Sequence, residues 1–272
     1  MSNETHFNAN RLYWNDSAAQ NYRTWDVAGF VANPARLAPT VEIDKAVFGD
    51  VTGKTLLHLQ CHFGMDTLSW ARLGATVTGL DFSPTAVATA RALARDTGLK
   101  ARFVESSLYD APANLPEMFD MVYTGVGALC WLPDIDRWGA VVASFLKPGG
   151  TFFVRETHPV MWSLDDERMD GVLAIAHPYF QSPEPTRWDG DAQWADSPKL
   201  ENATTYCWNH GLGEIITALM KAGLRIEEFA EHRFMAWQLL PQMVQGDDKQ
   251  WRMPDHGDRL PLMYSIRATK PE

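Results

Sequence analysis

The chain has 272 residues, 46% hydrophobic and 21% charged, an ordinary globular composition with room for one large domain or two small ones. A formal net charge of −10 argues against a nucleic-acid-binding surface, and no apolar run approaches the roughly 18–20 residues of a membrane span. Cys61, Cys130 and Cys207 are widely spaced and form no CxxC; with a polar first stretch lacking an apolar signal core, they point to a reducing cytoplasm.

Residues 1–50 read as a helical cap, with Leu12, Tyr13, Ala18, Ala19 and Tyr22 in a mixed helical pattern over 10–23 and a second helix within 40–48, after Pro39. From Thr55 strands alternate with helices: strand 55–60, helix 65–73, strand 75–80, helix 84–97, strand 101–105, strand 118–124, helix 135–146 and strand 151–156. Ser83-Pro84 opens one helix as N-cap and first-turn proline, and Gly98 stops it. This rhythm predicts a doubly wound α/β fold with a parallel sheet. It breaks at His158, where residues rich in Pro, Asp and Trp read as an insertion. Within the insertion, short strands at 173–180 and 203–208 are expected to pair as a hairpin. A helix at 212–222, a strand at 224–229 and a last strand at 262–269 complete the chain. The whole is expected to be one domain: cap 1–50, cofactor-binding half 51–157, insertion and substrate region 158–208, and C-terminal half 209–272.

The most informative stretch is Thr55–Asp81: an apolar run, the tight segment Gln60-Cys61-His62-Phe63-Gly64, a helical pattern, and a second apolar run closed by an acid. In a parallel sheet the first turn lies at the carboxyl edge, where the next helix presents free N–H groups. A carboxylate at Asp81 can accept both hydroxyls of a ribose, and Phe82 offers a ring for the base. Ser106-Ser107-Leu108 stands at the third strand's end, where a hydroxyl and a backbone N–H could read an adenine edge. Only Gly64 among residues 60–64 is a glycine, so this is not the GxGxxG of dinucleotide sites and NAD is not expected.

These residues, together with Phe119-Asp120-Met121-Val122-Tyr123 and the turn Leu146-Lys147-Pro148-Gly149-Gly150, resemble the class I S-adenosylmethionine-dependent methyltransferases. The resemblance covers most of the chain. It implies a Rossmann-like, mostly parallel seven-stranded sheet with an antiparallel last strand, and S-adenosylmethionine as cofactor. By the resemblance Gln60, Cys61, His62 and Gly64 wrap the amino-acid end of the cofactor, Asp81 holds ribose and Phe82 lies on adenine. Ser107 and Leu108 meet the adenine edge, and Thr124 approaches the methionine amine. The chain departs from the pattern at His58, where the family has an acid, at Gln60 and His62, where it has glycines, and at Ser107, where it has an acid at the adenine position. The turn must therefore accept side chains. The HLQCHFG form is similar to that of a subgroup acting on small molecules.

Methyl transfer is an in-line displacement in which alignment supplies much of the rate and a base sometimes removes a proton. His158, His210 and His232 follow elements that end near the carboxyl edge and are the candidate bases. No HxxxH or HExxH spacing occurs, and no metal is expected. Tyr13, Trp14 and Tyr22 on the cap, with Trp162 and Trp208, are candidate walls of an acceptor pocket, and Arg155 and Arg187 candidate partners of an acceptor carboxylate. The expected function is methyl transfer to O, N or activated C of a small-molecule acceptor, in a cytoplasmic monomer or homodimer with no nucleic-acid or membrane partner. The alternative is a cofactor-binding module or sensor without turnover.

Overall fold

A computed structural model describes residues 3–168, 170–190, 200–255 and 257–272. Three helices come first, α1 (Asn3–Thr24), α2 (Val27–Ala32) and α3 (Pro39–Phe48). The α/β unit follows as β1 (Thr55–Leu59), α4 (Met65–Arg72), β2 (Thr76–Asp81), α5 (Pro84–Thr97), β3 (Ala101–Glu105), α6 (Ala111–Asn114), β4 (Phe119–Thr124), α7 (Ile135–Phe145) and β5 (Leu146–Thr157). Then come α8 (Pro159–Trp162), β6 (Thr186–Asp189), β7 (Thr204–Cys207), α9 (Leu212–Lys221), β8 (Arg225–His232), β9 (Val244–Gln245), β10 (Trp251–Arg252) and β11 (Met263–Thr269).

The main sheet has seven strands in the order β3-β2-β1-β4-β5-β11-β8. The five strands from β3 to β5 are parallel, and β11 runs antiparallel to both β5 and β8. This is the expected architecture. The central strands are buried on both faces, as their continuous apolar runs require. One core layer packs α7 and α9 against the sheet through Trp138, Val142, Ile215 and Leu219, and the other packs α3, α4 and α5 through Val41, Leu68, Trp70 and Val87. The turn 146–150 is drawn into the start of β5: Phe119 pairs with Leu146, and Gly149 donates its N–H to the Lys270 carbonyl.

Two expectations are corrected. The insertion hairpin pairs β7 with Thr186–Asp189, not with 173–180. Pro178 removes a ladder donor from 173–180, and Ile175 and Phe180 stay exposed, with only a single bridge from Leu164 to Ile175. Residues 191–199, part of the expected insertion, lie outside the described residues. The first helix is also longer than the 10–23 pattern. Its inward stripe, His6, Asn10, Tyr13, Ser17, Gln20 and Asn21, has helical spacing but is mostly polar and fully buried, so apolar periodicity under-reads it.

Candidate cofactor and active site

The turn between β1 and α4 is conformationally demanding. Gln60 (φ 55°), His62 (φ 51°) and Gly64 (φ 79°) all occupy the left-handed region, where a non-glycine residue costs about 1–2 kcal/mol. Two of the three positions thus carry side chains at a cost that the surrounding contacts must offset. Gln60 Nε2 donates to the Ala128 carbonyl at 2.8 Å, which ties the turn to the loop after β4. The His62 N–H donates to Asp81 Oδ2 at 2.8 Å, which ties it to the end of β2. Gly64 is needed twice over, since a Cβ there would stand 2.6 Å from the Phe103 ring. Gly64→Ala is expected to lower stability by at least about 1–2 kcal/mol and Tm by several degrees; a thermal melt superimposing on wild type would refute this account of the turn.

Asp81 is buried, and its other oxygen, Oδ1, accepts the Ser83 N–H at 2.9 Å. Burial pushes its carboxyl up to about 6, against the pull of these backbone donors. Phe82 beside it is half-buried. Ser83 caps α5 as expected, accepting the Ala86 N–H at 3.1 Å, and its hydroxyl donates to Asn15 Oδ1 on α1 at 2.7 Å. The Ser107 hydroxyl is spent on a cap, donating to Asp110 Oδ2 at 2.6 Å and accepting the Asp110 N–H. The Leu108 side chain is buried in the core, so the side chains of both residues are turned to internal tasks. Cys61 is likewise occupied. Its N–H donates to Leu80, its carbonyl accepts from Gly64, and its thiol lies where a Cβ on Gly79 would stand 2.8 Å away.

Helix α1 crosses this edge. Trp14 meets the His62 ring edge-on at 5.1 Å and Trp131 at 5.2 Å, Tyr13 stacks on Trp131 at 6.1 Å, and Tyr22 meets Phe63 at 5.9 Å. Asn10 exchanges two hydrogen bonds with the Tyr206 backbone, each 2.8 Å, and so fastens α1 to β7. Near the helix several buried polar atoms have no partner among the described residues: His6 Nδ1, Ser17 Oγ, Gln20 Nε2 and Asn21 Oδ1 on α1, Gln60 Oε1 and His62 Nε2 on the turn, and Thr124 Oγ1 at the end of β4. Buried polar atoms without partners are few in folded proteins, and this concentration at one sheet edge marks where a polar ligand would sit. The His62 ring is neutral, its pKa pushed down to about 3 by burial.

Glu156, near the end of β5, holds the loop after β4. Its carboxylate accepts the N–H groups of Gly127 (2.7 Å), Ala128 (2.6 Å), Leu129 (3.1 Å) and Thr157 (2.9 Å). Burial nevertheless pushes it up to about 7. Leu129, Cys130, Glu156, Trp162, Trp208 and His210 close around a cavity of about 10 Å³, room for one water. A larger cavity of about 380 Å³ runs along α1, between Asn15, Gln20 and Arg23 and the segment at Leu200–Glu201.

The three histidines lie near the edge with their rings engaged. His158 Nδ1 accepts the Val160 N–H, so its proton is on Nε2, which faces Glu231 Oε1 at 3.1 Å. His210 Nε2 donates to the Leu132 carbonyl at 2.7 Å, and Nδ1 faces Gln181 at 3.1 Å. His232 Nε2 pairs with the Ser265 hydroxyl at 2.9 Å. Burial pushes all three below the ordinary histidine value, His232 to about 4 with help from Arg155. The two arginines are also taken: Arg155 Nε donates to Asp44 Oδ1 at 2.6 Å inside the protein, and Arg187 pairs with Asp189. Among the described residues no group of three or more His, Cys, Asp or Glu side chains is placed to hold a metal, and no helix is long and apolar enough to cross a membrane.

Residues 57–152 match the family model described as "Methyltransferase domain". Curated relatives include a ubiquinone biosynthesis O-methyltransferase from Klebsiella pneumoniae, 33% identical over 48% of this chain and 54% of the relative. Another of that name, from Xanthomonas euvesicatoria, is 31% identical over 57% of this chain and 65% of the relative. The chain thus spans between half and two thirds of the length of these relatives. The solved S-adenosylmethionine-dependent methyltransferase from Mesorhizobium loti superposes with a TM-score of 0.59 at 22% identity, covering 86% of this chain and 98% of that one. Residues 57–152 are therefore similar to a methyltransferase domain, and the chain's fold is that of the solved Mesorhizobium loti structure.

Proposed function

We propose that this protein transfers a methyl group from S-adenosylmethionine to a small-molecule acceptor. The observation that carries the reading is the set of unpartnered buried polar atoms under α1, gathered around the turn 60–64 and the end of β4. They fit a cofactor with hydroxyl, amine and carboxylate groups. Asp81, Gln60, His62 and Thr124 would hold it, with Phe82 against the base and the backbone at Ser107 and Leu108 toward the adenine edge. When bound, the cofactor supplies an electrophilic methyl group.

The chain's own contribution is alignment and exclusion of water. Tyr13, Trp14, Tyr22 and Trp131 form an aromatic wall over the turn, and Trp162 and Trp208 a second beyond Glu156. We assign His158 and His210 to holding loops, because both nitrogens of each ring are engaged, and His232 to its bond with Ser265 through Nε2. Orientation then supplies most of the rate. The relatives' name specifies O-methylation, which supports oxygen as the attacking atom. The acidic charge and separated cysteines support a cytoplasmic location and an acceptor other than nucleic acid.

Calorimetric titration with S-adenosylmethionine and, separately, NAD tests the cofactor. Micromolar binding of the first alone is expected, followed in an acceptor screen by turnover to S-adenosylhomocysteine. Binding of NAD in place of the sulfonium compound would overturn the reading.

A further inference from the structure

Among the described residues one carboxylate at the same edge, that of Asp66, has no hydrogen-bond or ion-pair partner. Asp66 lies in the first turn of α4, two residues beyond Gly64. A carboxylate there is favoured by the helix dipole, which accounts for the residue type. It does not account for the surroundings. Asp66 is only half-buried, and among the described residues no N–H or O–H donates to it. Burial pushes its carboxyl up to about 7, and the acid Asp44 adds to this.

The space it faces is defined by Gly125, the residue after β4. A Cβ placed on Gly125 would stand 3.6 Å from Asp66 Oδ2 and 3.5 Å from His58 Nε2. His58, on β1, has Nδ1 on the Thr67 hydroxyl at 2.9 Å and is neutral, its pKa pushed down to about 3 by burial. The strand beneath the turn therefore offers no charge, and the nearest carboxylate comes from the helix. On one side stands the turn that ends at Gly64; on the other stands the Tyr123 ring, whose edge would lie 3.8 Å from a Cβ on Gly125. A carboxylate without donors, facing the open side of a glycine, is the ground for a cation.

We propose that Asp66 is the counter-charge for the α-ammonium of the cofactor's methionine end, received in the space left open by Gly125 between α4 and β4. This rests on the reading of the site as an S-adenosylmethionine site. Asp66 acts there as a binding and positioning residue: it fixes the amino-acid end and thereby the line of the reactive methyl.

The test compares three ligands by calorimetry on the intact chain and on Asp66→Asn. S-Adenosylmethionine carries an ammonium and a sulfonium, S-adenosylhomocysteine only the ammonium, and 5′-methylthioadenosine neither. Asp66→Asn is expected to weaken the first two by at least tenfold and to change 5′-methylthioadenosine less than threefold. A loss confined to S-adenosylmethionine would assign Asp66 to the sulfonium and overturn the proposal, as would an equal change for all three ligands or for none. Gly125→Ala, which puts a methyl group into the proposed ammonium space, gives the same selective loss and serves if Asp66→Asn does not fold; unaltered S-adenosylhomocysteine binding there also overturns it. Failure of wild type to bind any of the three would instead remove the cofactor reading itself, and this proposal with it.

Discussion

Asp81→Ala is expected to weaken S-adenosylmethionine binding at least tenfold, about 1.4 kcal/mol. The side chain has two tasks that alanine cannot perform. In the proposed site its carboxylate would accept the ribose hydroxyls, and hydrogen bonds to a charged group contribute about 1.5–3 kcal/mol. It also accepts the His62 and Ser83 N–H groups, so the turn with two side-chain residues at positive φ loses its tie to β2. A pH series separates the charge from the shape. Burial sets the Asp81 carboxyl at about 6 before any ligand arrives. Hydroxyl donors favour the ionised form, so binding lowers that pKa; affinity is full above about 6 and falls as pH drops through it. Asp81→Asn keeps the shape and lacks this titration. Glu156 and Asp66, each at about 7, stay in both proteins, so the difference between the two profiles belongs to Asp81. Undiminished binding by Asp81→Ala would place the ribose elsewhere and remove the assignment of the turn.

The parts of the fold that could be read in the chain are those with local causes. Strands β1, β2 and β4 are buried along most of their length because both faces are covered, and Ser83, Pro84 and Gly98 delimit α5 by backbone chemistry alone. What escaped has distant causes. Asn10 meets Tyr206 across 196 positions, and no neighbour of either announces it. The buried stripe of α1 is polar, and within it Asn10 is bonded to the Tyr206 backbone. Arg155 reads as a free cation on β5, and only the packing of α3 shows that Asp44 claims it. Glu156 is an acid among histidines in the chain; its four backbone donors come mostly from a loop nearly thirty positions earlier. Asp66 looks like any acid at a helix start until the absence of a donor and the approach of Gly125 are seen.

The cap is held over the site at three places that share no sequence signature. Asn10 fastens the start of α1 to β7, Asn15 meets Ser83 at the end of β2, and Asp44 on α3 reaches into the sheet. The third anchor is the most deeply buried. Asp44 is fully inaccessible, and it accepts both Arg155 Nε at 2.6 Å and the Tyr123 hydroxyl at 2.9 Å. Burial pushes its carboxyl up, and the guanidinium offsets this only in part. The pair is therefore a costly arrangement that is more costly still to break.

Asp44→Ala is accordingly expected to destabilise the protein by about 3–5 kcal/mol, because it leaves the buried Arg155 without its counter-charge. Arg155 Nη1 already lacks a partner, so the cation has no second acceptor at hand. For a chain of this size that loss corresponds to a Tm lower by about 10 °C. The double variant Asp44→Ala/Arg155→Met should recover most of it, since removing both charges also removes the unpaired one. If Asp44→Ala melts within about 2 °C of wild type, the pair contributes nothing that water or relaxation cannot replace. If the double variant is as unstable as the single, the loss comes from packing around α3 rather than from the stranded guanidinium. Either result would detach α3 from the electrostatics of the sheet. The expected pair of results ties the position of the whole N-terminal cap, and so the closure of α1 over the turn 60–64, to one buried carboxylate.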